Sequence, residues 1–220
     1  TSVPATAPFA MCELGCGRGV TANVLAAANP HGQFHATDFN PAHIAEARAI
    51  GALCGGVEVW SLYVPNGREI GDPHYDYKLQ FLYSLQDTVR PGELQLLTGD
   101  FNIAPRDANV WDIDWFEGKT HVSAPERAAF ASFLDAGFVD VVRPHAPGPG
   151  VYTYWDYQQL RFPKRQGMRI DFVLGSQPFA DRVTGAFVDR EERKGKGASD
   201  HAPVVVDLAI DLPTGTRGTP

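Results

Sequence analysis

Asp100 and Asn102 stand two residues apart in GDFN, at the polar end of the run ELQLLT. Side chains alternate along a strand, so residues two apart point to one face and toward one ligand. There a carboxylate can orient and polarise a water while the carboxamide fixes a phosphate oxygen. Further along, RIDFVL supplies Asp171, and SDHAPV supplies the adjacent Asp200 and His201. An aspartate bonded to one ring nitrogen of a histidine sets its tautomer and raises its basicity, leaving the other nitrogen to meet phosphate. Hard oxygen donors of this kind suit magnesium or manganese rather than zinc. Phosphodiester hydrolysis needs an activated water, neutralised phosphoryl oxygens and help for the leaving oxygen, and this inventory offers all three. Taken singly, Asp100 could close a turn, and Asp171 with His201 could be a satisfied buried pair.

A second set lies near the start of the chain. Gly15, Gly17 and Gly19 in ELGCGRG follow a short apolar run and open a helical pattern, so backbone can approach a ligand where side chains would block it. Asp38 follows the alternating run QFHAT at about the spacing at which an acid grips ribose hydroxyls. The glycines run G-x-G-x-G with Glu13 before them, which departs from the dinucleotide fingerprint. ELGCGRG with ATDFNP resembles the first two motifs of the S-adenosylmethionine-dependent methyltransferases. That resemblance implies a loop around the methionine part and an acid on the ribose, and it ends near Ala52.

These residues need elements to hold them. FAMCEL reads as a strand, TANVLAAAN as a helix stopped at Asn29-Pro30, QFHATDF as a strand and PAHIAEARAI as a second helix. Past the glycine junction near Gly55, VEVWSLYV reads as a strand ended by Pro65-Asn66-Gly67, YDYKLQFLYSLQDTV as an amphipathic helix and ELQLLTGDFN as a strand. Residues 125–137 read as a helix closed by Gly137, RIDFVLGS and APVVVDLAI as further strands, and the tail from Pro213 as disordered.

The chain has 220 residues, enough for one full core or two small ones, and a net charge of −7. A nucleic-acid partner must therefore be met by a local basic patch or a metal, not by global attraction. Arg161, Lys164, Arg165 and Arg169 form one such cluster, and Arg190, Arg193, Lys194 and Lys196 a second. Three cysteines, Cys12, Cys16 and Cys54, without a CxxC pair argue against a disulfide framework or a zinc site and point to a reducing cytoplasm. No apolar run suits a membrane span or a secretory signal. The start without Met is that of a fragment.

LYVPNG, GDFNIAP, YTYWDY, GMRIDFVL and SDHAPV, in this order over about residues 55–208, resemble the exonuclease III family of the endonuclease/exonuclease/phosphatase superfamily, which includes abasic-site endonucleases. The resemblance implies that Tyr63 and Asn66 contact the scissile phosphate, and that Asp100 positions the attacking water with Asn102 orienting it. His201, paired with Asp171, holds the phosphate, while Asp200 and Asp100 lie at the metal. Tyr152, Tyr154 and Trp155 line the pocket for a flipped-out abasic sugar, with Arg169 beside them; packing in the core is the competing role of these aromatics. Family members begin with a strand ending in Asn and a second ending in Gln-Glu, whose glutamate is the principal magnesium ligand. The methyltransferase-like unit occupies that place here.

The expected architecture is α/β: a Rossmann-like β-α-β unit over 1–53, the C-terminal part of a four-layer α/β/β/α sandwich over 54–212, and a tail over 213–220. The expected function is a magnesium- or manganese-dependent phosphodiesterase on DNA, acting as a monomer at abasic sites or 3′ ends. The alternatives are an S-adenosylmethionine-binding methyltransferase fragment, through Glu13, Gly15, Gly17, Gly19 and Asp38, and an inactive fusion or truncation product.

Overall fold

A computed structural model of the chain describes strands β1 (Phe9–Leu14) and β2 (Gly32–Thr37), then residues 49–54 and 56–209. β1 and β2 pair in parallel from Phe9 opposite Gly32 to Leu14 opposite Thr37. Glu13 lies in β1. Gly15, Gly17, Gly19 and Asp38 lie outside the described residues, as does the tail 213–220.

The expected break near Leu53–Gly55 is instead a hairpin. Ala49–Cys54 forms β3, which pairs antiparallel with β4 (Val57–Tyr63) from Ala49 opposite Leu62 to Cys54 opposite Val57, with Gly56 at φ 85°. The Gly-Gly sequence favours a tight hairpin turn, because glycine tolerates positive φ. Ala49 and Ile50, expected to end a helix, are therefore strand residues, and the main sheet begins before residue 54.

That sheet has five strands in the order β3-β4-β5-β7-β6, with β5 Gln95–Asp100, β6 Phe138–Asp140 and β7 Asp171–Ser176. β4 and β5 are parallel, and helix α1 (Pro73–Thr88) makes the crossover. The Asp72 carboxylate caps α1 by accepting from the backbone N–H of His74 at 2.7 Å, and Pro73 suits a first-turn position. Helix α2 (Ala124–Asp135) opens on a capping box between Ser123 and Glu126.

Alternation along the strands gives the sheet two apolar faces. Leu62, Leu97, Phe172 and Leu174 meet Leu82 and Leu85 of α1 and Phe130 and Phe133 of α2 on one side. Val57, Val59, Leu96 and Val173 face the other, against Ala186, Val204, Val206 and Leu208 of an antiparallel pair, β8 (Val183–Val188) and β9 (Val204–Leu208). Helices, five-stranded sheet and β8–β9 pair make three layers. Both longer helices pack on the first face, so the fourth layer of the expected sandwich is not seen among the described residues. No described helix is long and apolar enough to cross a membrane.

The register sets the site. Tyr63 lies opposite Asp100, and Asp100 opposite Asp171, at one end of three adjacent strands. By alternation all three project to the β8–β9 side, and His201 enters from the loop before β9. Gly99 has φ 135°, and a Cβ there would sit 2.0 Å from the Leu62 carbonyl oxygen.

Candidate active site

Asp100 ends β5, and the chain then turns through Asn102 in the left-handed region at φ 50°, a conformation that asparagine tolerates. The turn brings Asn102 back onto the carboxylate. Its backbone N–H donates to Asp100 Oδ1 at 2.8 Å and its Nδ2 to Oδ2 at 2.7 Å. Nδ2 also donates to the Val64 carbonyl at 3.0 Å, and Asn66 Nδ2 donates to Asn102 Oδ1 at 3.3 Å. Burial pushes the Asp100 carboxyl up to about 7, the Asp171 carboxylate adds to the shift, and His201, the Asn102 N–H and Lys78 oppose it.

His201 Nδ1 lies 3.1 and 3.0 Å from the two carboxylate oxygens of Asp171. Burial disfavours the imidazolium, but the hydrogen bond and charge of Asp171, with Asp100 and Asp200 behind it, hold the pKa of His201 above its ordinary value. The YTYWDY segment places this pair. Buried Thr153 accepts from the N–H groups of Ile170 and Asp171 at 3.1 Å each, and its carbonyl accepts from Ala202 N–H at 2.7 Å. The Trp155 N–H donates to the Asp200 carbonyl at 2.9 Å. The Tyr154 ring lies 4.9 Å from that of His201, and burial, with Asp156, Asp200 and Asp100 nearby, pushes its phenol up to about 12.

Beneath the two asparagines lies a polar support that the sequence reading missed. Lys78, fully buried on α1, donates to the Asn66 carbonyl at 3.1 Å, the Asn102 carbonyl at 2.7 Å and Glu126 Oε1 at 2.5 Å. Glu126 also accepts from Thr120, from the His121 N–H and from Ser123. Burial pulls the Lys78 ammonium down. Burial would raise Glu126, but Lys78 and the other donors outweigh it and hold the carboxyl low. His121 has Nδ1 at 2.5 Å from the Asn102 carbonyl and Nε2 at 3.4 Å from Asn66 Nδ2. Burial first, then Lys78, takes its pKa down to about 4, so the ring is neutral, with Nδ1 donating and Nε2 accepting. The signals for these residues were the Ser123-x-x-Glu126 capping box and a lone lysine among the apolar positions of a helix.

These groups open on a cleft of about 350 Å³ lined by Tyr63, Asn66, Asp100, Asn102, His121, Tyr154, Met168, Ile170, Asp200 and His201. Tyr63 is 46% exposed at its rim. The sequence reading thus has Tyr63, Asn66, Asp100, Asn102, Asp200, His201 and Tyr154 around one space, with Asp171 behind His201. Three expected substrate residues are elsewhere. Arg169 is buried, forms a two-pronged pair with Asp140 at 2.6 and 2.7 Å and stacks on Phe172, so it is a core cation and not a substrate contact. Trp155 is 1% exposed and packs edge-on against Phe162. Tyr152 packs beside Trp155 and donates to the Val110 carbonyl at 3.3 Å. Alternation accounts for Trp155, which follows Tyr154 and turns away from the cleft, whereas Tyr152, two residues back, is drawn aside by the Val110 carbonyl and the Trp155 ring.

Among the described residues no three His, Cys, Asp or Glu side chains converge as a metal cage. Asp100 and Asp200 both line the cleft, with the asparagine side chains beside them. Magnesium is commonly held by one or two carboxylates plus water and substrate phosphate, and this donor set fits that mode.

Residues 30–201 match the Endonuclease/Exonuclease/phosphatase family. An exodeoxyribonuclease of Bacillus subtilis is 30% identical over 174 residues, 77% of this chain and 66% of the relative. A 3′ phosphatase from Neisseria, solved bound to a product DNA hairpin, superposes with a TM-score of 0.72 at 36% identity, over 77% of this chain and 68% of that one. An AP endonuclease from Archaeoglobus fulgidus gives a TM-score of 0.70 at 33% identity, over 74% of this chain and 65% of that one. The chain thus spans about two-thirds of the length of these three proteins. The family match starts inside the segment that resembles a methyltransferase, and none of these relatives supports that resemblance. Sequence match, superposition and the acids at the ends of adjacent strands agree: the chain belongs to the endonuclease/exonuclease/phosphatase family.

Proposed function

We propose that this chain hydrolyses phosphodiester bonds in DNA, at abasic sites or 3′ ends. The observation that carries this reading is the register row Tyr63–Asp100–Asp171 with His201 above it, open to a cleft of phosphate-binding size. Asp100 takes the proton of a water held in the cleft as that water attacks phosphorus, while the phosphorus–oxygen bond to the leaving strand end breaks and the freed oxygen takes a proton from solvent water. A carboxyl that titrates near neutral pH is ionised enough to accept the proton and basic enough to keep it. Asn66 and Asn102 fix the phosphate and the water, and the carbonyls of both are pinned by Lys78. His201, whose imidazolium form Asp171 favours, faces the charge that develops on the phosphoryl oxygens, and Tyr154 lines the pocket beside it. A divalent cation held by Asp100 and Asp200 would neutralise phosphoryl charge. The chain acts as a monomer on DNA in this reading, and its local cations substitute for the missing global attraction.

The test is incubation with two labelled duplexes, one with a single abasic site and one with a 3′-phosphate end, in magnesium and in EDTA, beside Asp100→Asn. Metal-dependent product absent from the variant supports the reading. A cooperatively folded wild type that leaves both duplexes intact refutes it.

A further inference from the structure

A small recess of about 40 Å³ lies against helix α2 and shares no lining residue with the catalytic cleft. Phe130 and Leu134 form its apolar wall, and Arg106, Asn109, Arg143 and Arg169 line the rest with one acid, Asp140. That carboxylate is already engaged. Arg169 takes both its oxygens, and Oδ1 also accepts from the backbone N–H groups of Val142 and Arg143, at 3.2 and 3.3 Å. Three arginines against one carboxylate leave two positive charges over. Among the described residues neither Arg106 nor Arg143 forms an ion pair, and the Arg143 side chain donates through Nη1 alone, to the carbonyls of Ala146 and Gly148 at 3.3 and 2.7 Å. Burial first, and then the charge of Arg169, pulls Arg143 below its ordinary pKa; Asp140 opposes the shift and Arg106 adds to it.

The recess also holds a donor with nothing to meet. Asn109 is 1% exposed. Its Oδ1 accepts the Arg106 N–H at 3.0 Å, which fixes the orientation of the amide and leaves Nδ2 buried without a hydrogen-bond partner among the described residues. Buried donors are almost always paired, with protein, water or an ion.

We propose that this recess is an anion site for free inorganic phosphate, which sets one oxygen on Asn109 Nδ2 and the others on the guanidinium groups of Arg106 and Arg143. The site stands apart from the hydrolytic chemistry and does not rest on it. Two uncompensated positive charges match a dianion, and guanidinium forks suit the oxygens of phosphate. Chloride would answer one charge and offers no separate acceptors to three donors. At roughly 10–15 Å³ for each water-sized group the recess seats about three, which suits a free ion and excludes a nucleotide. The ion would join two segments that lead into the cleft. Asn109 follows Asn102 on one loop, and its carbonyl accepts the Arg169 N–H at 2.7 Å just before Asp171. Phosphate here therefore clamps the loop after Asn102 to the strand that carries Asp171.

Nuclear magnetic resonance of the full nitrogen-15-labelled chain, in EDTA and without DNA, tests this. Sodium phosphate is titrated at about pH 8 and followed at the side-chain amides of Asn109, Asn66 and Asn102, so that recess and cleft are read separately on the same spectra. The Asn109 amide should move along a saturable curve with phosphate and stay in place with sodium chloride of equal ionic strength. Arg106→Gln changes an exposed side chain and should raise the phosphate midpoint at Asn109 by about 5- to 100-fold, the loss of one charge-assisted hydrogen bond. The midpoint at Asn66 and Asn102 should stay within about twofold in that variant. An Asn109 amide that phosphate leaves in place, or that chloride moves equally, overturns the site, and this wild-type comparison decides even if the variant does not fold. A midpoint within about twofold of wild type at Asn109 in Arg106→Gln overturns it too, as does a shift at Asn109 that only follows the curve of Asn66 and Asn102. A chain that cleaves no DNA but shows the Arg106-dependent shift loses the hydrolytic reading and keeps the anion site; cleavage without that shift does the reverse.

Discussion

Asp100 and Asp171 are direct cross-strand partners between β5 and β7, two carboxylates on one face of the sheet. His201 bonds only one of them, at 3.0 Å from Asp171. Burial first, and then the like charge set opposite, make Asp100 hold its proton to higher pH, although the more distant charge of His201 pulls the other way.

Asp100→Asn separates chemistry from stability. Loss of the general base should lower cleavage by about 10²- to 10⁴-fold. The native pKa of Asp100, about 7, lies above its ordinary 3.8. The native state therefore binds the extra proton, and this stabilisation is complete below about pH 4 and lost as pH rises through 7. The variant, which lacks the buried charge, should be more stable than wild type at pH 8 by on the order of 1–2 kcal/mol after allowance for weakened bonds from Asn102. Urea melts at pH 5 and 8 check this, and a variant less stable at pH 8 contradicts it.

The pH–rate profile should carry an acid limb from Asp100, at or below the metal-free value of about 7 because a bound cation favours the carboxylate, and an alkaline limb from His201, whose pKa Asp171 holds above its ordinary value. Asp171→Asn removes the repulsion that raises one group and the attraction that raises the other. Both limbs should move to lower pH, and an unmoved acid limb would show that Asp100 is not the titrating base. The same attraction adds stability that is full below pH 6.5 and fades as pH rises through the native pKa of His201.

Lys78→Met leaves Glu126 as a buried charge and frees the carbonyls of Asn66 and Asn102. Breaking a buried pair from one side costs about 3–5 kcal/mol. Denaturant unfolding should show a loss of that size, and Lys78→Met with Glu126→Gln should recover part of it. If the double variant recovers stability but not turnover, Lys78 acts by positioning the two asparagines.

Arg169→Met should lower stability by about 3 kcal/mol through the stranded Asp140 carboxylate and leave KM of the folded fraction unchanged. A rise in KM at unchanged stability would return Arg169 to the substrate.

Strands β4, β5, β7 and β9 and helices α1 and α2 were legible because alternation, capping residues and glycine stops mark them locally. So were the acids and His201, which sit in short motifs at strand ends. The tight pairing of β3 with β4 was hidden by a change of composition at Gly55-Gly56, where a turn signal looks the same as a junction. β6 and β8 escaped because three residues beside a helix, and a strand with an exposed phenylalanine, carry little periodicity. Arg169 was misread because sequence shows a charge next to a motif but not the Asp140 that faces it 29 residues away. Lys78 and His121 were missed for the converse reason: both are held in part by the Asn102 backbone carbonyl, an acceptor that every residue has.

At Gly99 the Leu62 carbonyl of β4 leaves no room for a methyl group, and φ 135° is a conformation that side-chain-bearing residues rarely adopt. Asp100 can become Asn with the fold retained, whereas position 99 admits one amino acid of the twenty. In a saturation scan scored for folded protein, the sharpest intolerance near the cleft should fall on the residue that has no chemistry to offer. Such a scan would map the spacing of two strands before it mapped the reaction.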